Sequence, residues 1–223
     1  MLDALLEEAK SDENVVGIVL FGSRARGAHV DDDSDWDVYV VVRELRGDRP
    51  FRRGQQVETI ELTLDELANA TDSHRYHLAW LEPQLDKTGE VADALRKAVS
   101  VDPNGAGPAL DAYVNSYYRS LKSARVGLPL ASLLDAQESI SWYLEFVFTV
   151  HERLRPYNKW LEWELREHPL PVGVDLERLE RIARTGALDD QQALFREAEA
   201  LARAHGHDAT IDGWEPDVAW LRG

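Results

Sequence analysis

The pattern of apolar and polar residues changes near residue 64, and this change predicts two kinds of structure. Before it, residues 2–10 place apolar side chains on one face of a helix, and segments 15–21, 36–42 and 56–63 are predicted strands. The first of these, VVGIVLF, is apolar throughout, which is typical of a strand buried on both faces. We expect the β-rich part of the chain to end with the third strand.

Helical periodicity dominates the rest of the chain. The one clear linker, residues 100–108, contains two prolines and two glycines and separates two groups of predicted helices. The predicted helices lie near residues 64–70, 73–82 and 88–99 before the linker, and near 108–126, 130–153, 156–168, 175–186 and 188–205 after it. The expected fold class is α+β, with a small mixed-sheet domain over residues 1–104 followed by an all-α helical bundle over residues 105–223.

Composition and charge narrow the function classes. The chain has 223 residues, and 41 acidic against 25 basic residues give a formal net charge of −16. That charge disfavours binding to nucleic acid and to anionic lipid, although a small basic site for a nucleotide is compatible with it. The sequence has no cysteine, no signal-peptide pattern and no apolar run of about 18 residues. We therefore expect a cytoplasmic protein that binds neither nucleic acid stably nor a membrane; its oligomeric state is left open.

The clearest chemistry lies between the first two predicted strands. Gly22 and Ser23 turn the chain and leave its backbone open to a ligand. Asp35 and Asp37 are two residues apart, so a strand places both carboxylates on one face. Two adjacent carboxylates repel each other, and a cation between them relieves the repulsion. The acids at 31–33, which precede the strand, are expected to form a solvated spacer.

Three familiar motifs do not fit this segment. A calcium-binding EF-hand loop starting at Asp33 needs glycine at its sixth position, where the chain has Val38. A P-loop needs Lys followed by Ser or Thr, where the chain has Ala28 and His29. The glycines are not spaced as in the dinucleotide-binding fingerprint either. The chemistry that fits is phosphoryl or nucleotidyl transfer with two divalent ions, which stabilise the attacking and leaving oxygens of an in-line displacement.

Such a site needs a third carboxylate from a neighbouring strand. The third predicted strand offers Glu58 and Glu61, which are three residues apart and therefore lie on opposite faces of the sheet. Periodicity alone does not choose between them.

The order of these residues resembles the signature of the DNA polymerase beta-type nucleotidyltransferase superfamily. The family pattern is an apolar strand, a Gly-Ser turn, a spacer, and then Asp-x-Asp leading into apolar residues. Its small-enzyme version reads Gly-Ser-Arg-Ala-Arg-Gly and then Ser-Asp-x-Asp, and the chain has both parts, from Gly22 to Gly27 and from Ser34 to Asp37. The resemblance covers about residues 15–70.

The resemblance implies a magnesium-dependent enzyme that transfers a nucleoside monophosphate, with AMP from ATP expected, and releases pyrophosphate. It implies that Asp35, Asp37 and an acid near the start of the next strand hold two Mg²⁺ ions. In the family this acid is followed by apolar residues and a polar helix start, which favours Glu58 over Glu61. Glu61 is itself a departure, because the family is usually apolar at that position.

The same resemblance assigns the phosphate contacts. Gly22 and Ser23 are expected to hold the triphosphate. The two arginines that flank the turn have different expected partners, since Arg26 is a candidate phosphate contact and Arg24 is a candidate partner of the acidic loop.

A catalytic domain followed by a helical bundle is similar to the bacterial nucleotidyltransferases that act on aminoglycosides and lincosamides. In such enzymes the acceptor hydroxyl lies between the two domains, and the bundle supplies a general base and a basic residue. Glu138 and Glu145, seven apart on one face of the predicted long helix, are candidates for the base. Lys159, beside Trp160, is the candidate that meets the triphosphate. Each of the three also fits an ordinary solvated side chain, and the seven histidines show no spacing typical of a metal site.

Three functions are compatible with this sequence. A nucleotidyltransferase acting on a small hydroxylated molecule such as an antibiotic is favoured, because an acidic chain suits a cationic acceptor. Transfer to a protein or an RNA, as in toxin–antitoxin nucleotidyltransferases, is the second. A non-catalytic nucleotide-binding module is the third, and the intact acids argue against it.

Overall fold

The computed structural model describes residues 2–47 and 57–223, except for the side chains of Asp72 and Ser73. The chain divides into two compact units, Met1–Ser100 and Val101–Gly223. The boundary predicted after residue 104 lies slightly further along the chain, within the turn Pro103–Gly105 that leads into the first long helix of the second unit.

A mixed four-stranded sheet forms the centre of the described part of the first unit. Its strands are β1 Val15–Phe21, β2 Trp36–Val42, β3 Val57–Thr63 and β4 Pro83–Asp86, in the order β3-β2-β1-β4. Strand β2 is antiparallel to β1 and parallel to β3, and β4 is antiparallel to β1. Every residue of β1 is buried, as its apolar sequence predicts. Gln56, which was predicted to begin the third strand, lies outside the described residues.

Helices cover both faces of this sheet. They are α1 Leu2–Ser11, α2 Gly22–Arg26, α3 Leu64–Ala68, α4 Asp72–Leu78 and α5 Glu90–Ala98. Leu5 of α1 packs on the face that carries Val38 and Val40, whereas Leu67 and Leu95 pack on the other. Helix α3 begins with a capping box, in which Thr63 Oγ1 accepts from the Glu66 amide at 3.2 Å and Glu66 Oε2 accepts from the Thr63 amide at 2.9 Å.

Strand β4 contradicts the expectation that strands end near residue 64. Its sequence, PQLD, is too short and too polar to show a period. Pro83 is tolerated at its start because β4 is an edge strand, where the missing backbone N–H of proline need not remove a hydrogen bond between strands. The helix predicted over 73–82 accordingly ends at Leu78.

The described second unit is built from helices. They are α6 Ala106–Arg125, α7 Pro129–Val150, α8 Leu161–Glu167, α9 Leu176–Thr185, α10 Leu188–Ala204, α11 Asp208–Asp212 and α12 Val218–Arg222. The core between α6 and α7 is aromatic, with Tyr113, Phe146 and Phe148 fully buried. Tyr117 Oη donates to the Leu221 carbonyl at 2.8 Å and thereby attaches α12 to α6. No helix among the described residues is both long and apolar enough to cross a membrane.

Candidate active site

Three acids lie side by side across the sheet of the first unit. The parallel register of β2 and β3 pairs Asp37 with Glu58, and the antiparallel register of β1 and β2 pairs Phe21 with Asp37. Asp35 lies two residues before Asp37, at the entry to β2. One carboxylate oxygen from each of these acids lies within 4.8 Å of the other two, and all three side chains are half-buried.

This donor set fits a divalent cation. Carboxylate oxygens are the ligands that hard ions such as Mg²⁺ prefer. Three carboxylates at this spacing repel one another strongly unless a cation lies among them, because half-burial weakens screening by water. Asp35, Asp37 and Glu58 could therefore hold a metal ion.

Strand register separates Glu58 from Glu61. Glu61 pairs with Val40 on β2, so it lies on the opposite face of the sheet from the two aspartates. There it lines a cavity of about 360 Å³ together with residues of α1. The strand register thus decides between Glu58 and Glu61, which periodicity alone leaves open: of these two acids, only Glu58 lies with the aspartates.

The Gly-Ser turn lies directly against the acids. Gly22 begins α2 with a φ of +76°, and its α-carbon faces the carboxylate of Asp37 with no room for a side chain. Ser23 follows in the same short helix and is half-buried. The turn therefore places its backbone beside the carboxylates. A ligand that contacts the turn can also reach a metal ion held by the acids.

Arg24 braces the loop that delivers the acids. Its Nε donates to the Ser34 carbonyl at 2.8 Å, and its guanidinium lies 5.5 Å from the centre of the Trp36 ring. The predicted pairing of Arg24 with the acidic loop is therefore made through the backbone. Both contacts flank Asp35 in the chain, so Arg24 fixes the segment that carries this carboxylate.

Arg26 contacts the end of α4. Its Nη2 donates to the carbonyls of Tyr76 at 2.8 Å and Ala79 at 3.3 Å, and its guanidinium lies 4.9 Å from the centre of the Tyr76 ring. These contacts tie the Gly-Ser turn to α4. A phosphate contact by Arg26 stays a prediction.

The spacer acids are solvated, as expected. Asp31, Asp32 and Asp33 are all exposed. Ser34 Oγ donates to Asp31 Oδ1 at 2.7 Å, and this hydrogen bond lowers the pKa of Asp31. Their side chains do not contribute to the acidic cluster.

Aromatic support near the acids was missed by the sequence analysis. The rings of Phe21 and Tyr39 stack with centroids 4.0 Å apart, and His77 meets Phe21 edge-on at 6.0 Å. Burial lowers the pKa of His77, with a further contribution from the charge of Arg26. The available signal was the alternation of β2, which places Tyr39 on the same face as Asp37.

The remaining candidates lie in the second unit. On α7, Glu138 accepts a hydrogen bond from Arg119 Nη2, and Glu145 is half-buried. Lys159 is exposed in the turn Asn158–Trp160, with its ammonium 5.4 Å from the centre of the Trp160 ring. The predicted roles of Glu138, Glu145 and Lys159 stay predictions.

Fold and site together define a small mixed-sheet domain whose three clustered acids could hold a metal ion. Residues 2–99 match the profile of the nucleotidyltransferase domain family. The first unit is therefore a nucleotidyltransferase domain of the DNA polymerase beta-type superfamily. Membership of this family supports nucleotidyl transfer as the general activity of the domain.

Comparison with curated proteins gives no match. Among solved structures, a nucleotidyltransferase-like protein from Exiguobacterium sibiricum 255-15 is similar, with 11% sequence identity and a TM-score of 0.46, over 92% of this chain and 76% of that one. This likeness is too distant to add to the assignment.

Proposed function

We propose that this protein transfers AMP from ATP, with Mg²⁺, to a hydroxyl of a small molecule such as an antibiotic and releases pyrophosphate. The observation that carries the proposal is the cluster of Asp35, Asp37 and Glu58, whose ligand atoms lie within 4.8 Å of one another beside the Gly22 backbone. An intact cluster of this kind favours catalysis over a purely binding role.

Each part of the site has a proposed task. Asp35, Asp37 and Glu58 hold the metal ions, two of which would neutralise the triphosphate and stabilise the attacking and leaving oxygens. Gly22 and Ser23 offer backbone and hydroxyl groups to the triphosphate. In the transfer, the acceptor oxygen bonds to the α-phosphorus while the bond from that phosphorus to the pyrophosphate oxygen breaks.

The acceptor proton goes to a general base, for which we propose Glu138 or Glu145. Both are carboxylates on α7, and they differ in surroundings. Glu138 is exposed and bound by Arg119, whereas Glu145 is half-buried and its charge acts on Arg155. Arg26 and Lys159 are the proposed cationic contacts of the phosphates. Activity of Glu138→Gln and Glu145→Gln distinguishes the two bases, because only the base variant loses kcat steeply.

A cationic acceptor is favoured by charge. The formal net charge of −16 attracts a polyamine-like molecule and repels a polyanion such as RNA. An aminoglycoside meets this description, since it combines several ammonium groups with free hydroxyls. A protein hydroxyl is the other acceptor that the test must include.

The test uses the full-length protein with ATP labelled at the α-phosphate, MgCl₂ and a panel of aminoglycosides and lincosamides. We expect label to pass to an acceptor with stoichiometric pyrophosphate release, and Asp37→Asn to abolish both. The matched control is Asp33→Asn, which removes an exposed acid of the spacer and keeps activity. Label on a protein instead of a small molecule would change the acceptor class. Transfer that persists in Asp37→Asn would overturn the metal-site assignment.

A further inference from the structure

The helical unit contains a polar pocket with no task in the proposed transfer. It has a volume of about 330 Å³ and is lined by His151, His205 and His207 together with Glu152. His151 caps the C-terminus of α7 and His205 caps that of α10. His205 and His207 are two residues apart, but His151 lies on a different helix more than fifty residues earlier, so no local spacing in the sequence joins the three.

His151 and His205 both line this pocket and pack edge to face. Their ring centroids are 5.4 Å apart and their planes cross at 85°. Nε2 of His151 is buried and has no hydrogen-bond partner among the described residues. A buried polar atom without a partner costs free energy, which a bound ligand recovers. Burial, followed by the charges of His205 and Arg153, lowers the pKa of His151.

The surroundings of the histidines favour a cation. Helices α7 and α10 both end here, and the C-terminal end of a helix carries partial negative charge. Glu152 adds a carboxylate and has a φ of +59°, which residues other than glycine rarely adopt. Arg153, the next residue, is ion-paired with Glu164, so its positive charge is largely balanced.

We propose that His151, His205 and His207, with Glu152, form a second metal site that takes one borderline divalent transition-metal ion such as Zn²⁺. Neutral imidazoles suit Zn²⁺, whereas Mg²⁺ prefers carboxylates, so the ion differs from that of the acidic cluster. Among the described residues, only the acidic cluster already has three ligand atoms within 4.8 Å of one another. Binding at the histidines therefore requires a ring to turn about its side-chain torsions. A bound ion would tie the end of α7 to the end of α10.

The experiment measures Zn²⁺ binding by the full-length protein that carries Asp35→Asn and Asp37→Asn, after removal of metals with a chelator. These substitutions disable the acidic cluster, so any Zn²⁺ that this parent variant binds must occupy a different site. We expect calorimetry to give one Zn²⁺ per chain, with affinity lowered about tenfold or more by His151→Gln or His205→Gln. His168→Gln, in the same unit and outside the pocket, should bind as the parent does. Excess Mg²⁺ should not compete.

A second readout is the visible absorption of Co²⁺, whose position and intensity depend on the ligands and geometry of the bound ion and which should fade in the same two variants. His205 is exposed, so His205→Gln keeps the fold and decides the question even if His151→Gln unfolds. Absence of Zn²⁺ uptake by the parent, or affinity unchanged by His205→Gln, would overturn the proposal.

Discussion

Gly22 and Asp37 are packed so closely that a β-carbon at position 22 would overlap the Oδ2 atom of Asp37. Glycine is required here for two reasons, because the φ of +76° also lies in the left-handed region. The turn proposed to bind the triphosphate and the acid proposed to bind the metal are thus in direct contact. A side chain added at position 22 must displace the carboxylate of Asp37.

Gly22→Ala should therefore lower the activity about 100-fold while leaving most of the protein folded. The new methyl group displaces the carboxylate of Asp37, and a misplacement of about 1 Å at a reacting centre costs about 100-fold in rate. The matched control is Gly27→Ala, which has a φ of +62° but nothing within 4 Å of the added carbon. It should lose only about 1 kcal/mol of stability from the backbone conformation and keep its rate per folded molecule. Pyrophosphate release and urea unfolding give the two quantities, and equal loss of activity in both variants would contradict the prediction.

Glu58→Gln and Glu61→Gln should differ in their response to Mg²⁺. Only Glu58 lies with Asp35 and Asp37, whereas Glu61 lies on the other face of the sheet. We expect Glu58→Gln to need a higher Mg²⁺ concentration for half-maximal activity and to lose about 10- to 1,000-fold in kcat, since loss of a metal ligand weakens the stabilisation of charge on the reacting phosphate by an amount of that order. Glu61→Gln should keep the Mg²⁺ profile of the parent. A titration of pyrophosphate release against MgCl₂ measures both, and a shifted profile in Glu61→Gln alone would reverse the assignment.

The site shows which features a sequence specifies locally and which it does not. The spacing of Asp35 and Asp37 and the Gly-Ser turn are local, so alternation and turn chemistry predict them. The choice of Glu58 depends on the parallel register of β2 with β3, which involves residues about twenty positions apart and follows from pairing rather than from period. The family resemblance supplied that choice where periodicity could not.

Packing between distant elements explains the remaining differences. Strand β4 has too few residues to show alternation, and its place at the edge of the sheet is set by pairing with β1. The partner of Glu138 is Arg119 on another helix, and the three histidines meet only because two helix ends converge. Contacts of this kind form between elements, so the helical periodicity that predicted α6 and α7 does not indicate them.

Removing one partner of a buried ion pair in the second unit should strongly destabilise the protein. Glu164 on α8 is 1% exposed and is hydrogen-bonded to Arg153, whose Nη1 also donates to the His168 carbonyl at 2.7 Å. Glu164→Ala leaves the guanidinium half of this pair without its carboxylate in a poorly solvated place, and should lower the free energy of unfolding by about 3–5 kcal/mol.

The control for this prediction is on the same helix. Glu167 pairs with Arg166 at 2.8 Å, but the side chains are 47% and 67% exposed. Glu167→Ala should therefore cost less than about 1 kcal/mol, because water screens exposed pairs. Urea denaturation followed by tryptophan fluorescence compares the two variants. Similar losses would mean that the burial of Glu164 contributes nothing.

The attachment of the C-terminal helix should depend on acid pH through Glu199. This buried carboxylate on α10 accepts from Arg222 Nε of α12 at 2.8 Å and from Arg203 Nε at 3.1 Å. The hydrogen bond from Arg222, with that from Arg203, lowers the pKa of Glu199 below its usual 4.5. The unfolded chain then binds more protons than the folded one, so this contribution is fully present above pH 4.5 and is lost as the pH falls through the folded pKa.

Glu199→Gln removes the charge at every pH, and the comparison with the parent isolates this one group. At pH 7 the variant should be less stable by about 1.5 kcal/mol, the value of a charge-assisted hydrogen bond. The difference between the two stability curves should stay constant above pH 4.5 and shrink steadily below it, because protonation of Glu199 in the parent has the same effect as the substitution. Urea unfolding at intervals from pH 7 to pH 3 measures the curves, and a difference that is independent of pH would show that the charge of Glu199 does not hold α12 in place.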